Sequence, residues 1–374
     1  MNIGIIDADL IGRKQHRFPN LACMKLSGYY KSKGNNVTLK LDYESFEAYD
    51  KVFISKVFTD TPIDEKVLEI TNVEYGGTGF FFDKAPDLPY EIEHSMPDYS
   101  LYSTWVQNKI DSGSKPKQFD DYLKCSIGFT TRGCFRKCPF CVNKKYDCTV
   151  IHSPINEFLD ISKPRISLWD DNFLAFPGWK QILKTIVDTK KYFQFRQGLD
   201  IRLMTEEKVL AFKPVKYFGD YIFAFDFLGD RELIENKLTI WKKHIKKTTK
   251  LYVFTGFDRN DKWDQNFWNQ DIEDTFERIK ILMKYGCLPY IMRFNRYEES
   301  PYRGMYITLA RWCNQPNFFK KKSFREFCIA NGENSSPVKY MNEFAAKFPG
   351  IASKYYDLKY EGLNVYSKDI KAIS

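Results

Sequence analysis

No apolar run among the 374 residues approaches the roughly 20 needed to cross a bilayer, so no membrane span is expected. The first residues, Met1-Asn2-Ile3-Gly4-Ile5-Ile6-Asp7, lack the basic region and long apolar core of a secretory signal. They read as the opening strand of a folded domain. The nine cysteines, an odd number, show no paired framework. That argues against a secreted disulfide scaffold and for a reducing cytoplasm. A Gly-x-Gly-x-x-Gly run is also missing. Gly76-Gly77-Thr78-Gly79 is expected to be a turn with positive φ values, not a dinucleotide cradle.

What is present describes a globular chain, with 28% charged and 43% hydrophobic residues. The net charge of +9 permits an anionic partner such as RNA, although a solvated basic surface is the simpler reading of clusters like Lys242 to Lys247. Short apolar runs at 2–7, 37–41 and 51–58 alternate with helical stretches, the first of which opens at Pro19-Asn20 and stops before Gly34. This alternation predicts a parallel, doubly wound sheet over residues 1–120, whose ligands would bind beyond strand ends such as Asp7, Asp9 and Ser55. Residues 83–120, broken by prolines, read as an irregular linker with a helix around 100–109.

The most informative stretch follows. Cys134, Cys138 and Cys141 stand at Cys-x3-Cys-x2-Cys spacing, directly after the apolar run 125–129. Cysteine thiolate is the usual ligand of a [4Fe–4S] cluster, and three on one loop leave the fourth iron open to a chelating small molecule. Gly133 and Pro139 suit the sharp bends such a loop needs. Zinc is the competing reading. It wants a fourth ligand, for which Cys148, Cys125 and His152 are the nearest candidates. The reading from another class is therefore a zinc-stabilised nucleic-acid-binding protein without cluster chemistry.

The spacing, with Phe140 just before the last cysteine, resembles the signature of the radical S-adenosylmethionine (SAM) enzymes. The resemblance implies that SAM chelates the open iron through its methionyl amine and carboxylate. One electron, from a donor such as flavodoxin or ferredoxin, then cleaves it to methionine and a 5′-deoxyadenosyl radical. It implies a partial (β/α)6 barrel over residues 121–298, and strand-like runs at 124–129, 165–170, 193–199, 221–226, 250–255 and 288–294 fit one. Residues 299–374 would be a C-terminal helical extension. The region 1–120 resembles the Rossmann-like domain of cobalamin-dependent members. Cobalamin is not expected, because the Asp-x-His-x-x-Gly loop is missing and His16 has the wrong neighbours. Methylthiotransferase activity is not expected either, since Cys23 is the only cysteine before residue 125.

Barrel sites lie at the carboxyl ends of the strands, which supplies the remaining candidates. Asp170, Asp171 and Asn172 stand where the family carries a Gly-Gly-Glu-like motif and would hold the SAM amine, with Phe140 beside the adenine. Alternation along 193–199 puts Arg196, Gly198 and Asp200 on one face, toward a ligand or toward each other. Asp226 would bind ribose hydroxyls, and Gly256 would admit the adenine to the backbone. Arg293 and Asn295 would meet the SAM carboxylate or the substrate. The run Phe318 to Phe327 mixes aromatics and lysines; it can stack on single-stranded RNA, or pack its rings inward as an amphipathic helix.

Overall fold

The computed structural model describes residues 1–14, 16 and 18–366, which fall into two compact units. The first unit comprises 1–197 and 216–218, and the second 198–215 and the residues from 219 onward.

In the first unit, β1 (Asn2–Asp7), β2 (Asn36–Lys40), β3 (Lys51–Ser55) and β4 (Val73–Gly76) form a parallel sheet in the order β2-β1-β3-β4. Side chains alternate across a strand, so each central strand feeds two cores. Ile3, Ile5 and Phe53 pack with Cys23, Met24 and Leu26 of the helix Leu21–Ser32. On the other face Ile6, Val52 and Ile54 meet Ala8, Phe46 and Val67. A parallel sheet covered on both faces requires this nearly unbroken apolar content. Asn20 caps the helix by accepting from the Cys23 amide at 3.3 Å, and Gly34 beyond its end takes φ +77°.

The sequence expectation of a linker over 83–120 needs correction. Ile92, Leu101, Tyr102, Val106 and Phe119 are buried in the same core as Ile3 and Ile5. Prolines bend the segment, but its apolar residues close one face of the sheet. The polar strand ends are likewise committed to structure. Asp7 accepts from Tyr102 Oη at 2.9 Å, Asp9 from the Val57 amide at 2.6 Å, and Ser55 Oγ from Asn20 at 2.9 Å.

The same unit continues through β5 (Cys125–Gly128), β6 (Thr131–Arg132), β7 (Val150–Ile151), β8 (Arg165–Leu168) and β9 (Tyr192–Phe195). Here β5, β8 and β9 make a parallel trio, while β6 and β7 pair antiparallel. The second unit holds another parallel trio, β10 (Tyr221–Ala224), β11 (Thr249–Thr255) and β12 (Leu288–Arg293). Thus all six strand-like runs are strands, five of them ending earlier than expected and β11 ending at Thr255 as expected. The third stops at Phe195, not at 199, because Gly198 turns left-handed at φ +91° and Asp200 caps the next turn by accepting from the Arg202 amide.

Between Arg303 and Leu363 the second unit is largely helical, including Arg303–Cys313, Pro316–Lys321 and Phe324–Ile329. Phe319 and Phe324 are fully buried against Trp312, with ring centroids 5.1 and 5.5 Å away. Helical periodicity therefore explains most of the aromatic and basic run 318–327: Phe319, Phe324 and Phe327 inward, Lys320 and Lys321 outward, with Phe318 left 39% exposed.

Candidate metal site

The three cysteines occupy a loop whose two ends are tied together. β6 and β7 pair Thr131 with Ile151 and Arg132 with Val150, and Thr149 Oγ1 donates to the Gly133 carbonyl at 3.1 Å. Gly133 holds φ +92°, and a Cβ there would lie 2.4 Å from the Cys148 carbonyl oxygen. No other residue fits that crossing. Lys137 also adopts a left-handed conformation, at φ +45°, one residue before Cys138.

N–H groups face the sulfurs of Cys134 and Cys141. The Arg136 amide points at Cys134 Sγ from 3.5 Å, and the Asn143 amide at Cys141 Sγ from 3.4 Å. Asn172 Nδ2 donates to Cys134 Sγ at 3.2 Å. Such donors tune cluster sulfurs, although burial pushes the Cys141 thiol up against the pull of the Asn143 amide. The other amide atom of this residue, Asn172 Oδ1, is buried and meets no donor among the described residues. A buried acceptor without a donor carries an uncompensated desolvation cost, which a ligand ammonium would relieve. Among the described residues, no three His, Cys, Asp or Glu side chains are gathered as a metal set. The fit to an iron–sulfur centre lies in the donor chemistry around the sulfurs.

Asp170 and Asp171 have a different task from the one read in the sequence. Asp170 is fully buried, and its carboxylate accepts from the Thr130 and Thr131 amides at 3.2 and 2.6 Å and from their hydroxyls at 2.5 and 2.7 Å. Burial pushes its carboxyl up, against the pull of these four donors. Asp171 accepts from the Gly133 amide at 2.7 Å. Both acids therefore anchor the first residues of the loop to the end of β8, and Asn172 alone keeps an acceptor open. Asp170→Ala is expected to cost about 2–4 kcal/mol by leaving buried N–H and hydroxyl groups unpaired. It should also speed hydrogen exchange at the 130–133 amides. Unchanged protection there would return Asp170 to a ligand-binding role.

Of the proposed fourth zinc ligands, Cys125 is buried in the β5 core beside Leu21 and Ile127, and burial drives its thiol up to about 12. His152 is engaged on both ring nitrogens, with Ser153 Oγ at 3.0 Å and Glu93 Oε1 at 3.3 Å. Cys148 is exposed on the cysteine loop itself. Phe140 sits half-buried between Pro139 and Cys141. Arg196 does not line a strand face as expected; it is half-exposed, 3.4 Å from Asp121. His16, by contrast, is turned inward with Nε2 3.3 Å from Asp7 Oδ2.

The remaining candidates belong to the second unit. Asp200 is paired with Arg202 at 2.8 Å, not held for a ligand on a strand face. Gly256 takes φ +76° and donates its amide to Asp271 Oδ2 at 2.7 Å. Arg293 lies over the Tyr297 ring at 4.4 Å, and Asn295 opens an exposed turn. Sequence reasoning missed Arg278, which is 2% exposed. Its guanidinium donates to the Phe225, Asp226 and Phe254 carbonyls at 3.2, 2.5 and 2.8 Å, and reaches Asp271 at 3.9 Å. It thereby fixes the carboxyl ends of β10 and β11.

Asp226 itself is raised to about 6, chiefly by burial, although Arg278 and Arg202 pull it down. A carboxyl with a raised folded pKa binds its proton more tightly in the native state. Stability is then lost as pH climbs from about 4 to about 6 and stays lost above. Asp226→Asn is expected to recover about 1–3 kcal/mol at pH 8 and little at pH 4. Urea unfolding at both values tests this, and an equal gain at both would contradict it.

No family model matches the chain, and no curated protein matches it in sequence. Among solved structures, it is similar to a radical SAM methyltransferase, TsrM from Kitasatospora setae, determined with cobalamin and a [4Fe–4S] cluster bound. The TM-score is 0.51 at 10% identity, over 78% of this chain and 72% of that one. A looser match, at TM-score 0.36 and 12% identity over 99% of this chain and 60% of the other, is OxsB, a cobalamin-dependent SAM radical enzyme; it supports no argument. At 10% identity the first likeness is one of fold: mixed α/β with parallel sheets and a helical C-terminal part. Because that neighbour carries cobalamin, it gives no support to the expectation that cobalamin is not used here.

Proposed function

We propose that this chain is a radical SAM enzyme in which Cys134, Cys138 and Cys141 hold a [4Fe–4S] cluster. The observation that carries the reading is the cysteine loop itself: three sulfurs at this spacing on a loop that follows β5, with N–H donors from Arg136 and Asn172 on Cys134 and from Asn143 on Cys141. Bound there, the cluster supplies one electron for the reductive cleavage of SAM to methionine and a 5′-deoxyadenosyl radical. The fold shared with a radical SAM methyltransferase supports the same class.

The chain's own residues set the frame for that chemistry. Asp170 and Asp171 fix the loop's first turn, so the cysteines enter from a defined backbone. Asn172 steadies Cys134 with its Nδ2 and offers Oδ1 to the ammonium of a ligand. An ammonium gives such an acceptor a charge-assisted bond. Hydrogen abstraction from a substrate would then give 5′-deoxyadenosine and leave the unpaired electron on the substrate. RNA leads a peptide side chain or a small metabolite as that substrate on the net charge of +9 alone, since the rings of Phe319, Phe324 and Phe327 are packed inside and only Phe318 of that run is exposed.

The test is anaerobic. The protein is reconstituted with iron and sulfide, reduced, and given SAM with and without hydroxocobalamin, which belongs in the assay because the structural neighbour binds cobalamin. Brown protein that releases 5′-deoxyadenosine is the expected result. Colourless protein with one zinc per chain and no SAM cleavage would move the assignment to the zinc-stabilised nucleic-acid-binding reading.

A further inference from the structure

We propose that the open face of the β10–β11–β12 sheet receives an uncharged aromatic group of the substrate. The inference rests on the function proposed above and narrows its substrate. It concerns binding only, so no bond, electron or proton moves in it.

The strand register separates the two faces of this sheet. Side chains alternate, so Phe223, Leu251, Val253 and Ile291 share one side, where each is at most 3% exposed. A helix covers that side: the Phe223 ring meets Trp241 of Arg231–His244 at 5.0 Å. The opposite face carries Ile222 and Ala224 of β10, Tyr252 and Phe254 of β11, and Tyr290 and Met292 of β12. A parallel sheet ordinarily buries both faces. Here Tyr290 stays 38% exposed and Met292 42%, and the other four are only half-buried.

Aromatic surface continues beyond the strand ends. The Phe294 ring lies 5.9 Å from Phe254 and 5.0 Å from Phe257, and Trp263 stacks on it at 6.3 Å and 18°. Trp263 is held left-handed, at φ +38°, a conformation that a bulky residue adopts only at a cost. Its Nε1 donates to the Gly256 carbonyl at 3.3 Å. The backbone accepts strain at the residue whose ring extends the cluster.

Charge decides what fits. Lys250 is the only charged residue among the strand positions of this face, and Asp220 pairs with it at 3.1 Å. Arg293 alternates to the opposite side with Ile291. Arg296, 3.8 Å over the Trp263 ring, is bound through two N–H groups by Glu299 at 2.8 and 2.7 Å. The turn after β10 adds acids, Asp226 and Asp230. A polyanion therefore finds no uncommitted cation at these strand positions, although single-stranded RNA needs cations beside its stacking rings. The favourable charge for RNA belongs to the chain as a whole. An uncharged ring instead gains edge-to-face contacts with the tyrosines and phenylalanines, and Met292 adapts to its outline.

The test titrates the full chain with N-phenylnaphthylamine, an uncharged aromatic dye that brightens in apolar surroundings. Saturable binding at one site per chain is expected. Met292→Glu should weaken it about tenfold or more, because a bound ring would then desolvate a carboxylate. Ile161→Glu, at a side chain 85% exposed in the first unit, should leave it unchanged. Absent binding overturns the proposal, as does an equal effect of the two variants or displacement of the dye by a uridylate oligonucleotide. Should Met292→Glu lower the melting temperature, Tyr290→Ser replaces it with the same expectation. The titration needs no iron, so the two readings can fail separately. Protein that binds the dye at this face but loads no cluster refutes the enzyme and keeps the site. Cluster-loaded protein whose dye binding ignores Met292 and Tyr290 does the reverse.

Discussion

Alanine at Cys134, Cys138 or Cys141 is expected to strip the reconstituted protein of iron and of 5′-deoxyadenosine formation while leaving its melting temperature within about 2 °C of wild type. The two halves of that expectation come from different facts. Thiolate is the cluster's ligand, and the Cys-x3-Cys-x2-Cys run supplies three, so loss of one leaves too few. Yet each of the three side chains is only half-buried, and the loop's shape is held by other groups: the β6–β7 pairing, Gly133, and the Asp170 and Asp171 carboxylates. Removing a sulfur should therefore cost function without costing the fold.

Two further cysteines sharpen the result. Cys125 is fully buried with Leu21 and Ile127, so Cys125→Ala should lower stability by about 1 kcal/mol and keep the iron. Cys148→Ser should change neither under the cluster reading. Under the zinc reading it removes the fourth ligand and the metal with it. A loop variant that still bound four irons and still released 5′-deoxyadenosine would sink the proposed function.

Much of this was legible in the residues, and the errors have local causes. The cysteine spacing is a property of the chain and needed no structure. The six strands announced themselves as short runs rich in apolar and aromatic residues, whether buried on both faces as in β5 or alternating as in β11. Arg196, Gly198 and Asp200 misled because polar alternation imitates a strand face, while the positive φ of Gly198 that ends the strand leaves no mark in composition. Asp170 misled differently. An acid at a strand end looks like a ligand group, and only the tertiary fold brings Thr130 and Thr131, some forty positions earlier, to fill its carboxylate. The prolines of 83–120 announced a linker, but burial is decided by Leu101, Tyr102 and Val106 between them. Arg278 was hidden because an arginine within a long helix reads as a solvated charge, and the carbonyls that hold it belong to two strands distant in sequence.

That buried arginine carries the second large expectation. Arg278→Met is predicted to destabilise the second unit by about 3–5 kcal/mol, the usual cost of removing one partner from a buried charge network. Methionine replaces much of the volume, so the loss comes from polarity. The Phe225 and Phe254 carbonyls lose a donor, and Asp271, raised by burial, loses its cation while keeping the Gly256 amide and Tyr306 Oη at 2.7 and 2.8 Å. Since Arg278 also holds Asp226 down, the damage should deepen with rising pH, as both carboxyls are forced to ionise without it. Adding Asp226→Asn should return part of the loss at pH 8 and almost none at pH 4. Hydrogen exchange at the β10 and β11 amides reads the effect inside the unit. Protection equal to wild type would mean that the strand ends hold themselves, and that the guanidinium stays buried for the sake of a ligand and not of the fold.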